Sequence, residues 1–307
     1  MVRIFMYAVV YILSFLASYA QVKSEEIIVY NDSIELPGEL SYFKKETPLV
    51  IWIHGSGNVD RNGNQGTIVK ANYIQQFREL MVQHEIAFFS YDKRTSNSKN
   101  YKHLKGIQFE DLVIDAQKVI EALLKKRKFS KVILLGHSQG SLVGMLALNK
   151  QIDKYISLSG PAYTIDETLI KQIAKNSPSL ETTVTDHVKE LKSKGEIKEV
   201  HPMLVSIFAK QNQPFLKSWM KYNPVEEIKK VTIPLLIVNG TKDIQVASEE
   251  AKILHQNNIN SELLLIDNMN HVIKDIIKDE DNLRSYYSPD FKISNKLINE
   301  VVKFIKK

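Results

Sequence analysis

The sequence predicts an α/β protein, a mostly parallel, doubly wound sheet with a helical cap inserted part-way along the chain. Three observations carry this expectation. Short apolar runs of strand length alternate with helical patterns from about Pro48 onward, and such alternation specifies parallel strands joined by right-handed crossovers. The run KVILLGHSQGSLVGM, 131–145, passes from a strand through two closely spaced glycines straight into a helix. Between about Ala162 and Lys230 the alternation stops, and helical patterns follow one another with no strand between them.

Residues 1–20 read as a processing segment. Arg3 precedes an apolar run from Ile4 to Leu16, and small residues stand one and three positions before Gln21, the pattern of a secretory signal peptide cleaved after Ala20. The run is short for a bilayer span, so no stable membrane insertion is expected after cleavage, and the mature chain is expected in a periplasm or outside the cell. The 307 residues include no cysteine, which excludes disulfides, thiolate catalysis and cysteine-bound zinc. Lys and Arg number 41 against 35 Asp and Glu, a formal charge of +6, but the excess is scattered and forms no basic stripe interleaved with aromatics. A nucleic-acid partner is therefore not expected.

Taken in order, Glu26–Tyr30 and Ser33–Leu40 are expected to form a hairpin turning at Asn31-Asp32. Pro48–Ile53, PLVIWI, is a continuous apolar run, as in a central strand covered on both faces. It ends in His54-Gly55-Ser56-Gly57, an H-G-x-G turn of the kind that supplies one oxyanion amide, the second coming from the residue after a nucleophile. Ser56 and Gln139 are assigned these roles. A helical pattern follows (Ile74, Phe77, Leu80, Met81), then a strand at Ile86–Tyr91 and a helix from Phe109 to Leu124, with Lys125 to Lys128 at its C-terminal end. After the 131–145 unit, Lys154–Leu158 forms another strand.

The cap is expected over 162–230, between core segments 21–161 and 231–307, with helices near 165–174, 180–194, 203–210 and 214–222. Phe208, Phe215, Trp219 and Met220 are candidates to line a substrate pocket beneath it, with the cap's own core as the alternative place for each. The sheet resumes at Pro234–Val238 and Glu262–Ile266, and a last helix runs from Leu297 to Ile305.

The chemistry centres on Gly136-His137-Ser138-Gln139-Gly140. A G-x-S-x-G turn between strand and helix lifts one serine hydroxyl above the sheet edge and aims a helix N-terminus at it, so Ser138 is the candidate nucleophile. A serine hydroxyl needs a base beside it and donors before it. Asp243 and His271 each follow a later strand, which places all three on the carboxyl edge of one parallel sheet, where open α/β sheets bind ligands. In these roles His271 takes and returns the proton, and Asp243 orients the imidazole and stabilises its charged form. Asp267 rivals Asp243, but it lies only four residues before His271. His137 is expected to point away from its neighbour Ser138, and His54 to serve the oxyanion turn through its backbone. No H-E-x-x-H or carboxylate cluster suggests a metal.

The order of elbow, cap, acid loop and histidine loop resembles the α/β-hydrolase superfamily. Within it, IHGSGNVDRNG, FSYDKR, GHSQGS, QPFLKSWMKYNP, VNGTKD and MNHVIK are similar to bacterial serine carboxylesterases of the serine-aminopeptidase-like group, over nearly all of the chain from about Pro48. The resemblance implies an α/β-hydrolase fold, no cofactor, hydrolysis of carboxylic esters, a Ser138, Asp243 and His271 triad, and oxyanion amides at Ser56 and Gln139. Two departures concern loop shape: Asn58 stands where many relatives have proline, and Thr95-Ser96-Asn97-Ser98 where many are glycine-rich. Asp60-Arg61 and Asp92-Lys93-Arg94 are expected to brace loops through ion pairs, the alternative being contact with a substrate carboxylate. The leading expectation is an exported serine esterase acting on small-molecule esters with small or medium acyl or aryl groups. An aminopeptidase or thioesterase using the same triad stays open, because a triad does not choose its leaving group. A non-catalytic ligand-binding homologue is the alternative of a different class.

Overall fold

The computed structural model describes residues 22–44 and 46–307, and the expected signal segment lies outside the described residues. Strict alternation of inward and outward side chains builds β1 (Lys23–Asn31) and β2 (Ile34–Tyr42), an antiparallel hairpin in which Ile27 and Val29 are buried while Ile28 and Tyr30 face solvent. Asn31 pairs with Ile34, so the turn residues are Asp32-Ser33, one position later than the sequence suggested, with Asp32 at φ 51°. An aspartate tolerates that left-handed conformation better than most residues.

The remaining strands are the apolar runs: β3 (Leu49–Ile53), β4 (Ala87–Tyr91), β5 (Val132–His137), β6 (Lys154–Leu158), β7 (Leu235–Gly240) and β8 (Glu262–Ile266). The eight form one sheet in the order β1-β2-β4-β3-β5-β6-β7-β8, antiparallel across β1, β2 and β4 and parallel from β4 to β8. Every residue of β3 to β7 is buried, because helices cover both faces of a parallel sheet. Leu49, Ile51 and Ile53 point to one face and pack with α2 (Phe109–Lys126), α3 (Gln139–Ala147) and α9 (Ser248–Asn257). Val50 and Trp52 point to the other and pack with α1 (Tyr73–Gln83) and α11 (Asn295–Lys306).

This order fixes where a ligand can sit. From β3 the chain moves outward to β4, and from β5 it moves the opposite way to β6, so the adjacent carboxyl ends of β3 and β5 diverge. That divergence opens a crevice. His54 to Ser56 leave β3 on one side of it, and Ser138 leaves β5 on the other.

Between β6 and β7 the chain is helical among the described residues: α4 (Ile165–Asn176), α5 (Glu181–Lys194), α6 (Val205–Phe208), α7 (Gln213–Trp219) and α8 (Pro224–Ile228). α7 docks on the start of α2, where the Trp219 and Phe109 rings stack at 5.2 Å and the Phe109 N–H donates to Ser218 Oγ at 2.7 Å. α8 behaves differently. It packs on α3 and α9, and the Ile228 and Val231 carbonyls accept from Asn258 Nδ2. It is thus the crossover helix that parallel β6 and β7 require, and the expected cap boundary at residue 230 takes in one helix of the core layer. Neither α8 nor α9 was visible as a periodic pattern, since each buries only two residues.

The paired charges expected to brace loops do so. Arg61 grips Asp92 with Nε and Nη2 and reaches Glu26 with Nη1. Arg94 holds Asp115 on α2 through two bonds of 2.6 and 2.7 Å, and Asn31 Nδ2 adds a third. Both partners of that second pair are buried, so removing one strands the other charge in a medium that solvates it poorly. Asp115→Ala is expected to cost about 3–5 kcal/mol in equilibrium chemical unfolding; a loss below about 1 kcal/mol, the range of exposed pairs, would show that water reaches Arg94.

Candidate active site

At the end of β5, Ser138 adopts φ 55° and ψ −124°, a region of the backbone map that glycine normally occupies in type II′ turns. Its neighbours hold it there. The Ser138 N–H donates to the Leu158 carbonyl at 2.9 Å, and its own carbonyl accepts from the Ser141 N–H at 2.9 Å. A methyl group on Gly136 would collide with the Gly140 carbonyl, and one on Gly140 with the Ile53 carbonyl. The two glycines of the motif are therefore set by contact: strand, turn and helix approach too closely for any Cβ. Gly55 packs on the same turn, its added Cβ lying 3.1 Å from Ser138 Cβ.

Asp243 and His271 meet. His271 Nδ1 is 2.8 Å from Asp243 Oδ2, and since a carboxylate can only accept, that nitrogen carries the proton and Nε2 is left as the basic position. The Asp243 side chain is fully buried, and its Oδ1 accepts from the N–H groups of Gln245 and Val246 at 2.8 and 2.9 Å. Asp267 is exposed and makes no bond to His271. The acid and histidine loops are tied together: the Met269 carbonyl accepts from Lys242 N–H, and Asn268 N–H donates to Thr241 Oγ1. Lys274, wholly buried, donates to the carbonyls of Ala71, Ser285 and Ser288. Those three bonds anchor the long β8–α11 connection, which includes the short helix α10 (Asp281–Arg284) and carries His271.

Ser138 and His271 line one cavity of about 80 Å³ together with Gly55, Ser56 and Tyr286. The serine hydroxyl makes no hydrogen bond to the imidazole in this structure. Ser56 shares this cavity and Gln139 follows Ser138 in the chain; among the described residues, the N–H groups of both donate to no backbone carbonyl, as expected in an open turn and at the first turn of a helix.

The other histidines take structural positions. His137 turns to the far face of the sheet among Trp52 and Tyr73, and its Nε2 donates to the His271 carbonyl at 2.8 Å, supporting the catalytic candidate from below. Burial pushes its imidazole down to about 3, so it is neutral near pH 7. His54 is likewise buried, edge-on to Tyr91 at 4.9 Å, and lowered to about 3 by burial and the nearby Lys93.

A second cavity of about 530 Å³ opens from Ser56 and Gln139 toward the cap. Phe215 and Trp219, four residues apart on α7, line it with Leu216, while Leu112 of α2 and Ile107 close the core side. Two pocket candidates lie elsewhere. Phe208 is fully buried in the cap's own core against His187 at 5.6 Å, and Met220 lies past the end of α7, away from the cavity. Ile107, Leu112 and Leu216 are not singled out by the sequence, because an aliphatic residue that lines a cavity has the same local pattern as one that fills the core.

Lys93 is expected from the sequence to brace a loop, the alternative being contact with a substrate carboxylate. Its ammonium enters the floor of this site, donating to the Gly55 carbonyl and to Gln139 Oε1, each at 2.8 Å.

The chain resembles known proteins in sequence and in fold. The model of the BD-FAE family matches residues 39–257. Esterase EstD of Thermotoga maritima is 25% identical over 245 residues, covering 78% of this chain; the chain spans 58% of that relative's length. Est1E from Butyrivibrio proteoclasticus superposes with a TM-score of 0.60 at 17% identity, covering 92% of this chain and 99% of its own. The Pyrococcus furiosus esterase Pf2001 superposes with a TM-score of 0.59 at 17% identity, covering 93% and 91%.

The elbow packing is directly testable. Gly140→Ala is expected to cost roughly 3 kcal/mol through overpacking, read by thermal or chemical unfolding. Gly66→Ala, at φ 59° but with nothing within 4 Å of the added methyl, is expected to cost about 1 kcal/mol. Equal losses in the two variants would mean the clash is absent.

Proposed function

Taking as premise that the chain belongs to the BD-FAE family, we propose that it is a serine hydrolase cleaving carboxylic esters through an acyl-enzyme on Ser138. The observation that carries the proposal is the buried Asp243–His271 pair, held on the sheet edge that also presents Ser138 in its raised turn. The similarity to EstD, itself an esterase, supports the same reaction class.

In this mechanism His271 Nε2 removes the Ser138 proton as Oγ attacks the ester carbonyl carbon. Ser138 and His271 line one cavity, and the step requires Oγ to turn toward Nε2 there. Imidazolium forms, and the Asp243 carboxylate stabilises it without taking the proton. The carbonyl oxygen becomes an oxyanion that the N–H groups of Ser56 and Gln139 are assigned to stabilise. Collapse expels the alcohol, which receives the proton from His271. Water then repeats the sequence on the acyl-enzyme and releases the acid. The 530 Å³ cavity beyond the oxyanion amides, with an apolar wall of Phe215, Leu216 and Trp219, accommodates a small or medium acyl or aryl group.

An aminopeptidase needs a carboxylate at the cavity to hold the substrate's ammonium. Glu167 is committed to capping α4 through the Thr164 N–H, Glu181 is exposed, and neither lines the two cavities. This favours the ester over the aminoacyl amide. The proposal includes export, on the signal-like pattern of residues 1–20; fractionation of expressing cells, with N-terminal sequencing of the product, is expected to find a chain beginning at Gln21, and retention of residues 1–20 in the cytosol would contradict it.

The full-length mature protein is expected to hydrolyse p-nitrophenyl acetate and butyrate. Ser138→Ala should lower kcat by about 10⁴-fold or more, and Asp243→Asn by about 10⁴-fold, because the amide no longer enforces the Nδ1–H tautomer. Turnover surviving in Ser138→Ala would remove the acyl-enzyme from the mechanism.

A further inference from the structure

Lys93 is buried beside the oxyanion loops. It lies two residues past β4, is 7% exposed, and, like Lys274, has no carboxylate within ion-pair distance, although the chain carries acidic residues on both sides of it in space. Asp92, its neighbour, is held by Arg61, and Asp115 on α2 is held by Arg94. The Lys93 ammonium instead donates to two neutral acceptors, the Gly55 carbonyl and Gln139 Oε1. Burying an ammonium without a counter-charge costs more than almost any other surface-to-core change, and a methionine of similar volume would fill the position at no such cost. The two acceptors are informative. Gly55 is joined through its carbonyl to the N–H of Ser56, since both belong to one peptide unit, and Gln139 is the residue whose N–H forms the other side of the oxyanion site.

We infer that Lys93 is the positioning residue of the oxyanion site, clamping the Gly55–Ser56 peptide to Gln139 and holding a positive charge behind the two amides. The inference rests on the esterase mechanism proposed above. Fixing the Gly55 carbonyl fixes the plane of its peptide, and so the direction of the Ser56 N–H on the opposite side. Drawing on that carbonyl also polarises the same amide and strengthens its N–H as a donor. Gln139 is a residue at which a helix starts, with no intrahelical partner for its N–H; the side-chain bond to Lys93 keeps that first turn in register with the β3 loop. The charge adds a term that grows only as the oxyanion forms, which lowers the barrier without tightening substrate binding.

The groups facing Lys93 leave its charge as the one that changes near neutral pH. His54 at the end of β3 is neutral, lowered to about 3; the Tyr91 phenol on β4 is pushed well above its usual value by burial; Asp115 and Arg94 neutralise each other; and α3 presents only Gln139. Burial lowers the ammonium itself to about 7, and Asp115 opposes this only in part. A lysine lowered in this way is charged below that pH and neutral above it. Neutral lysine keeps two N–H donors, so the clamp survives deprotonation and the charge does not.

The test is Lys93→Met in the full mature protein, assayed with p-nitrophenyl butyrate and with a boronic acid that mimics the tetrahedral intermediate. Expected are a fall in kcat of roughly tenfold to hundredfold, less than complete loss of one oxyanion donor; a KM within about twofold; and loss of boronate affinity matching the loss in kcat/KM. The wild type should also lose kcat as pH rises through about 7, and the variant should lack that alkaline limb. Should Lys93→Met fail to fold, Gln139→Leu cuts one arm of the clamp while leaving the backbone N–H and the Lys93 charge, and is expected to show the same loss of kcat and boronate affinity at smaller amplitude with the alkaline limb retained. Unchanged kcat and pH profile in a folded variant, or equal weakening of substrate and boronate, would overturn the inference while the esterase mechanism stands. Absence of turnover in the wild type, by contrast, would remove the esterase mechanism itself.

Discussion

The backbone of Ser138 is the constraint on which the site depends. A non-glycine residue at φ 55° and ψ −124° carries strain of about 1–3 kcal/mol, and such strain persists only where the surroundings leave the chain no alternative. Here the surroundings are other parts of the same edge. The Leu158 carbonyl of β6 takes the Ser138 N–H, the Ile53 carbonyl of β3 lies against Gly140, and Gly55 packs on the serine's own Cβ. Three neighbouring strands thus meet at one residue. Their parallel register makes this possible, since Ile53 pairs with Gly136 and His137 with Leu158.

Around that turn the fold deals with charge in three ways. The Asp243 carboxylate is buried but surrounded by two N–H groups and an imidazole, so its lone pairs are occupied. Arg94 and Asp115 are buried as a bidentate pair. Two histidines, His54 and His137, are buried as neutral rings, with their protonation suppressed by desolvation. Lys274, which anchors the connection carrying His271, and Lys93, beside Gly55 and Gln139, are buried ammonium groups with backbone or amide oxygens in place of a carboxylate. Each ties two separate segments together next to a candidate site residue, which a carboxylate-paired lysine in the same place would not do.

The cap contributes shape and little of the polar chemistry. α7 reaches the core through the Phe109–Trp219 stack and the Ser218 hydroxyl, which brings Phe215, Leu216 and Trp219 over the crevice. Phe208 packs within the insertion itself, against His187. The short helix α7 supplies most of the apolar wall, with Ile207 of α6 beside it.

Local sequence alone settled a good deal: the strands, whose five- and six-residue apolar runs have no other stable use than a doubly covered sheet; the elbow, whose glycines announce a close approach; and the order in which serine, aspartate and histidine follow their strands. These are statements about neighbours along the chain, and periodicity and turn chemistry encode such neighbours directly. The contact between Asp243 and His271, the seat of His137 beneath His271, the place of α8 in the core layer and the lining by Ile107 and Leu112 were decided by tertiary structure. So was the capture of Gly55 and Gln139 by Lys93. Each of these depends on which distant segments the sheet order brings side by side, and a lysine that bridges two loops has the same local sequence as one that reaches into water.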